Sequence, residues 1–462
     1  MENQKKLNIA VFPWLAYGHL IPFFEVAKFL AQKGHQVSFI STPKNIGRLP
    51  KVPQNLSHLL IFAELHLPQI DGLPEGAEST SELPITKVPI LKKAHDQLAP
   101  GLTQFLKNNS EFNWIVHDCL CHWVPRIATQ LGINSAYFAI YSATSMAFVG
   151  PPSELLNRDS RRRPEDLTVV PKWIDFPCDV AFKLHEVLSH QDCEDSDVPD
   201  FQRVGETIQG CQLVAIRTSP EFESNSLSLL QKLYGKPVLP VGFLPPSLQE
   251  NDPQLKQWLN SNGENSVVYI ALGSEVTLSR ELMHELACGI EKSGLPFIWV
   301  INDRPLVEGK LGVDIIPDGF ESRVSGRGLV WRGWAPQVGI LAHSAVGGFL
   351  THCGWSSVIE ALGFGKALIL LSGASSDLGL IARLLHGKGV GLEIPRDDKT
   401  GWFTSDSVSE LIRRVMVDKE GESVRTTAKA MKEIFRNVQL NTECLTEFNR
   451  RLVNWVPLTP SV

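Results

Sequence analysis

Residues 7–41 alternate in a way that few folds accept. Leu7 to Phe12 is a short apolar run rich in strand formers, and a loop containing Gly18-His19 follows. Pro22 to Gln32 has helical periodicity with Gly34 as its cap, and Gln36 to Ser41 reads as a second strand. Strand–helix–strand at this spacing is a βαβ unit, which builds parallel sheets through right-handed crossovers. The pattern recurs: a strand at Trp114 to Val116 ends in His117-Asp118, a helix spans Val124 to Leu131, and a strand runs from Ser135 to Ala139. Val214 to Arg217 reads as a further strand.

A second series starts after Pro245-Pro246. Ser266 to Leu272 is a strand ending in Gly273-Ser274, Arg280 to Lys292 is helical, and Pro296 to Val300 is strand. Leu329 to Trp331, Gly348 to Thr351, Ala367 to Leu370 and Gly391 to Ile394 continue the alternation. At roughly 100–200 residues per domain, a chain of 462 residues holds two to four domains, and the alternation favours two. The expected layout is a doubly wound N-terminal domain over 1–235, a Pro-rich linker at 236–250, and a second doubly wound domain over 251–440. Residues 441–462 are expected to form a helical tail that packs back on the N-terminal domain. Ligands in such sheets sit beyond the carboxyl ends of the strands. The stretch from Pro151 to Asp200 carries no strong fold signal and reads as a solvated insertion.

Charge and cysteines narrow the classes of function. The formal net charge is −6, from 44 Lys and Arg against 50 Asp and Glu, so nothing draws the whole chain to nucleic acid or an anionic membrane. No stretch approaches the ~18 uninterrupted apolar residues of a membrane span, and the apolar run before Pro13 is too short for a signal peptide. Eight scattered cysteines do not make a disulfide framework. Cys119 and Cys121 lie between His117 and His122, but no second pair at a zinc-site spacing follows, so no metal site is expected. The chain reads as cytoplasmic and monomeric, without membrane insertion.

The densest chemical constellation begins at Trp334-Ala335-Pro336-Gln337 and reaches His352-Cys353-Gly354-Trp355-Ser356-Ser357, with Glu360 three residues on. A strand here ends in a glycine turn and opens a helix. Amides at a helix N-terminus, beside Ser hydroxyls and an imidazole, form an anion site. Glu360 lies one turn into that helix, placed to accept from a ribose diol. Trp334 offers a face for a base to stack on, and Gln337 an amide for a polar edge. A nucleotide site accounts for base, ribose and phosphate partners in one segment.

This segment resembles the donor-binding signature of plant family-1 glycosyltransferases, and the likeness extends over nearly the whole chain. The wider sequence, including Phe-Ile-Ser-Thr-Pro at 39–43, is similar to the branch that extends sugars on terpenoid and flavonoid glycosides. The resemblance implies a GT-B fold, two Rossmann-like domains facing a cleft, with a UDP-sugar as co-substrate and neither cofactor nor metal. It also implies an acceptor that is an apolar-bodied plant metabolite or its glycoside. Trp334, Ala335 and Gln337 would then hold uracil and ribose, and Glu360 the ribose hydroxyls. His352, Ser357 and Ser274 would meet the diphosphate, and Ser356 stands where the family commonly has Asn. His19 is the candidate base, since a neutral imidazole takes a proton from a hydroxyl near neutral pH. Asp118, at the end of another strand of the same domain, would orient it. The reaction implied is a single inverting displacement.

One stretch departs from the family. The signature closes with Pro and, a few residues later, Asp-Gln or Glu-Gln, which bind hydroxyls of the transferred sugar. Here 370–380 reads Leu-Leu-Ser-Gly-Ala-Ser-Ser-Asp-Leu-Gly-Leu: the Pro is absent, one residue is added, and Leu378 follows Asp377 where Gln is expected. Leucine neither donates nor accepts, so a polar sugar contact is lost. Three readings stand side by side. The donor is another UDP-sugar, such as rhamnose or xylose; or it is UDP-glucose held by altered contacts; or the chain has lost or changed glycosyl transfer and uses its His–Asp pair for another acid–base reaction, or only binds ligand.

Overall fold

A computed structural model describes residues 5–109, 111–157, 163–191, 197–273, 278–301, 316–373 and 376–456. The chain divides into two compact units. One comprises the described residues of Met1–Ser160, Cys193–Leu244 and Val438–Val462, the other those of Arg161–Asp192 and Pro245–Asn437.

The first unit is built on seven strands: β1 (Asn8–Phe12), β2 (Gln36–Ser41), β3 (Leu60–Glu64), β4 (Trp114–His117), β5 (Asn134–Ala139), β6 (Leu213–Ile216) and β7 (Val238–Pro240). They pair in parallel in the order β3-β2-β1-β4-β5-β6-β7, with Phe12 opposite His117. Successive side chains of a strand leave opposite faces, and here both faces are covered. Ile9 and Val11 point to a core shared with Phe23 and Phe24 of helix Tyr17–Gln32 and Phe448 of helix Val438–Val453. Ala10 and Phe12 point to the opposite core, with Leu102, Val124 and Ile127. The C-terminal helix is tied down by hydrogen bonds as well. Trp114 Nε1–H donates to the Leu452 carbonyl at 3.1 Å, His35 Nε2 meets Asn449 Oδ1 at 2.7 Å, and Asn441 Oδ1 accepts from Phe243 N–H at 2.6 Å. Gly242, at φ +77°, leaves the room that Asn441 occupies.

The second unit carries β8 (Val267–Ala271), β9 (Phe297–Ile301), β10 (Gly328–Arg332), β11 (Val346–Thr351), β12 (Ala367–Leu370) and β13 (Gly391–Glu393), all parallel, in the order β10-β9-β8-β11-β12-β13. β8 and β12 are buried along their whole length, as strands covered on both faces must be. Both units are therefore doubly wound Rossmann-like domains. Among the described residues no helix is long and apolar enough to cross a membrane.

Three sequence expectations need correction. Helix Tyr17–Gln32 begins five residues before Pro22, so Gly18 and His19 lie in its first turn and not in a loop. His19 N–H and Leu20 N–H already donate to the Ala16 carbonyl, at 2.9 and 3.0 Å. Pro22, which lacks a donor, reads as a helix start but sits inside. The expected linker contains β7, whose Val238 pairs with Val214, and the chain changes unit only after Leu244. Finally, the described part of Arg161–Asp192 belongs to the second unit, although the sequence assigned it to the N-terminal domain.

Candidate active site

In each sheet the strand order reverses at one point, between β1 and β4 in the first and between β8 and β11 in the second. Loops leaving adjacent strands in opposite directions open a crevice there, where doubly wound sheets bind ligands. His19 and Asp118 fall at the first of these points and His352 at the second, whereas Trp334, Ala335 and Gln337 follow β10 and Asp377 follows β12.

In the first unit, Asp118 follows β4 directly and His19 sits in the first turn of the helix after β1. Asp118 is fully buried, His19 is 13% exposed, and His19 Nδ1 lies 2.7 Å from Asp118 Oδ2. Trp14 N–H donates to the same oxygen at 3.1 Å, and Cys119 N–H to Oδ1 at 2.7 Å. Burial alone would raise the carboxyl, but His19 and the two backbone donors more than offset it and hold Asp118 below the ordinary carboxylate range. An ionised carboxylate can only accept, so Nδ1 carries the proton and Nε2 keeps a bare lone pair. The site thus holds a buried anion fixing the tautomer of a partly exposed imidazole. Tyr141, unnoticed in the sequence, stands edge-on to His19 at 6.1 Å between ring centroids, its hydroxyl 3.5 Å from Cys119 Sγ. Burial pushes the Cys119 and Cys121 thiols well up, which makes them inert. Phe138, Phe148 and Trp123 are buried in the core, whereas Tyr17 is half-buried.

In the second unit, Trp334 is 72% exposed on the loop between β10 and helix Gln337–Ala342, and Trp331 Nε1–H donates to its carbonyl at 3.0 Å. Ala335 is buried beside it. Gln337 joins two other candidates: Nε2 donates to Glu360 Oε2 at 2.7 Å and lies 3.2 Å from Ser357 Oγ. Because Glu360 can only accept, the amide nitrogen must face it, and the amide oxygen then accepts the Tyr269 hydroxyl at 3.2 Å. Tyr269, on β8, gave no signal in the sequence; its phenol is buried and pushed up, with Glu360 adding to the effect.

Gly354 caps helix Trp355–Gly363, which places Ser356 and Ser357 in its first turn. Cys353 takes the left-handed conformation, at φ +74°, to turn the chain from β11 into that helix. His352 packs between two glycines: a Cβ at Gly273 or at Gly354 would come within 2.5 Å of its ring. Burial lowers the His352 pKa to about 4, against a hydrogen bond to the Ala271 backbone that works the other way, so the imidazole is neutral at pH 7. Its Nδ1 is buried with no partner among the described residues. A neutral ring spends its one N–H on the Ala271 carbonyl, so Nδ1 can only accept, and the groups here that suit an anionic ligand are the backbone amides of the helix N-terminus. β12 neighbours β11, with Leu370 opposite Thr351, and Asp377 stands past its end at the start of helix Leu378–Gly387. Leu378 is buried, so the position expected for a glutamine is filled by core packing. Ser274, expected at the diphosphate, lies outside the described residues.

Known proteins match this geometry and sequence. The family model described as UDP-glucoronosyl and UDP-glucosyl transferase matches residues 226–395. UDP-glycosyltransferase 91C1 of Arabidopsis thaliana is 46% identical over 97% of this chain and 97% of its own. Soyasaponin III rhamnosyltransferase of Glycine max is 40% identical, over 97% of this chain and 95% of its own. Among solved structures, Glycyrrhiza uralensis UGT73P12 complexed with glycyrrhetinic acid 3-O-monoglucuronide superposes with a TM-score of 0.79 at 22% identity, covering 97% of this chain and 96% of that one. Full-length identity of this order, on two sheets with this strand order, shows that the chain belongs to the plant UDP-glycosyltransferases.

Proposed function

We propose that the protein transfers a sugar from a UDP-sugar to a hydroxyl of a plant specialised metabolite, a terpenoid, steroid or flavonoid or a glycoside of one, with inversion at the anomeric carbon. The observation that carries the reading is the 2.7 Å contact between His19 Nδ1 and Asp118 Oδ2. It leaves Nε2 unprotonated, the form that takes the acceptor's proton as the oxygen attacks the anomeric carbon and the bond to UDP breaks. The buried carboxylate steadies the imidazolium that results. In the second unit, Trp334 serves the base, Gln337 and Glu360 the ribose, and the amides of the helix N-terminus at Ser356 and Ser357, with neutral His352 packed beside them, the charge developing on the departing phosphate.

The donor best supported is a UDP-sugar other than UDP-glucose, such as rhamnose or xylose. Leu378 offers no hydrogen bond where the family has Gln, which suits a sugar with fewer or differently placed hydroxyls. The soybean relative, by its name, transfers rhamnose to soyasaponin III. The test is a screen of purified protein with UDP-glucose, UDP-rhamnose and UDP-xylose against terpenoid and flavonoid acceptors, read by product mass. Transfer is expected, and His19→Ala should abolish it. Undiminished transfer in that variant would sink the assigned base. A product of unchanged mass but altered structure would point to a reaction other than glycosyl transfer.

A further inference from the structure

The connection from β12 to helix Leu378–Gly387 is where the sequence leaves the family signature, and both its ends converge on one carboxylate. Glu186 lies on helix Leu184–Gln191 of the same unit, its side chain only 2% exposed. Ser372, five residues before Asp377, donates its hydroxyl to Glu186 Oε1 at 2.6 Å. Arg383, six residues after Asp377, donates through Nη2 to both Glu186 oxygens at 2.5 Å. Lys183 N–H completes the shell at 2.8 Å from Oε2. The Ser372 carbonyl is tied too, accepting from Arg396 Nη1 at 2.7 Å.

Around this knot the charges alternate. Arg383 also reaches Glu393 on β13, and Lys183 Nζ lies 3.2 Å from the same carboxylate. Buried ion pairs need this degree of hydrogen bonding to offset desolvation, and once satisfied they hold a single geometry. The fit is close: a Cβ at Gly379 would collide with the Glu186 carboxylate. None of these bonds involves Trp334, Gln337, Glu360 or His352.

We propose that Glu186 is a positioning residue for the donor's sugar end: by fixing Ser372 and Arg383 it sets where Asp377 and Leu378 stand, and so which UDP-sugar is accepted. The inference rests on reading Asp377 as a sugar contact. Wild-type protein and the variants Glu186→Ala, Glu186→Gln and Ser372→Ala would be titrated calorimetrically with UDP, UDP-glucose, UDP-rhamnose and UDP-xylose, alongside transfer assays and thermal melts. Losing a charge-assisted hydrogen bond should change the ratio of affinities between two UDP-sugars by about tenfold in Glu186→Ala. The lone hydroxyl bond lost in Ser372→Ala should change it by roughly threefold. Glu186→Gln, which can still accept from Ser372, should fall between, and the affinity for UDP alone should stay within about twofold of wild type. If Glu186→Ala does not fold, Ser372→Ala carries the test. The inference is overturned if UDP affinity falls in step with that for the sugars, or if the ratios stay fixed in folded variants. A wild type that transfers no sugar would overturn the functional reading instead, and the binding ratios would still decide the role of Glu186.

Discussion

Replacing Asp118 by Asn exchanges one oxygen for an NH2, yet every partner of that side chain is a donor. Oδ2 receives His19 Nδ1–H at 2.7 Å and Trp14 N–H at 3.1 Å, and Oδ1 receives Cys119 N–H at 2.7 Å. Asparagine has a single acceptor oxygen. If that oxygen faces His19 and Trp14, its NH2 opposes the Cys119 N–H in a fully buried position, and an unmade buried bond costs about 1–3 kcal/mol of stability. If the amide flips, its NH2 faces His19 and the imidazole must accept at Nδ1. The proton then sits on Nε2, the atom that has to be bare to act as base. In either orientation the charge-assisted bond to the imidazole is lost, about 1.5–3 kcal/mol. At about 1.4 kcal/mol per decade, kcat should fall roughly ten- to hundredfold, with the flipped tautomer slower still. The KM for the UDP-sugar should hardly move, because Asp118 shares no bond with Trp334, Gln337 or Glu360. Steady-state kinetics at saturating acceptor, with a urea melt of the same sample, separate the two losses. A folded Asp118→Asn enzyme that keeps more than about a third of its kcat would refute the reasoning, since less than ~1 kcal/mol would then rest on the carboxylate.

Two further outcomes follow from buried groups. Tyr269→Phe removes the donor to Gln337 Oε1, leaving the amide held through its nitrogen on Glu360 and Ser357 without the bond that steadies its other end. A neutral hydrogen bond of about 1 kcal/mol should appear as a roughly fivefold weaker Kd for UDP with kcat little changed, and an unaltered Kd would show that Tyr269 does not orient the amide. Stability should decline on acidification, because burial lowers His95 and His117 to about 4. Between that value and the ordinary imidazole pKa near about 6.5, the unfolded chain binds protons that the native one refuses, so stability falls as pH drops through this window. The loss is about 1.4 kcal/mol per pH unit per group, on the order of 3 kcal/mol for each by pH 4. Asp118, held below its ordinary range, adds to the loss below pH ~4. Urea midpoints at pH 7, 6 and 5 check the slope, and a flat profile would count against it.

Continuous apolar runs such as Val267–Ala271 announce themselves, because a strand buried on both faces has no polar positions. β3 and β7 did not. Leu60–Glu64 is an edge strand with exposed positions, and Val238–Pro240 is three residues long among prolines, so neither builds a periodic signal. The start of helix Tyr17–Gln32 was obscured by Pro22, and with it the fact that His19 is held by helical backbone.

What the candidate site owes to chain-local pattern and what it owes to topology can be told apart bond by bond. Gln337, Ser357 and Glu360 lie within 23 residues of one another, so their meeting was readable from a strand, a turn and a helix. His19 and Asp118 are 99 residues apart, but each follows a strand of the same sheet, and the pairing of β1 with β4 brings them together. Topology alone says nothing of Glu186, 186 residues from Ser372, since the helix that carries it is not part of either sheet. The described residues of the connection after β12, 371–373 and 376–377, lie in neither strand nor helix, and Ser372 among them is tied by side chains and not by a hydrogen-bonded ladder. For that reason the sequence could mark the stretch around Asp377 as altered but could not say what holds it. On the role proposed for Glu186, donor preference is set at the carboxylate behind the loop as much as at the residues of the loop itself.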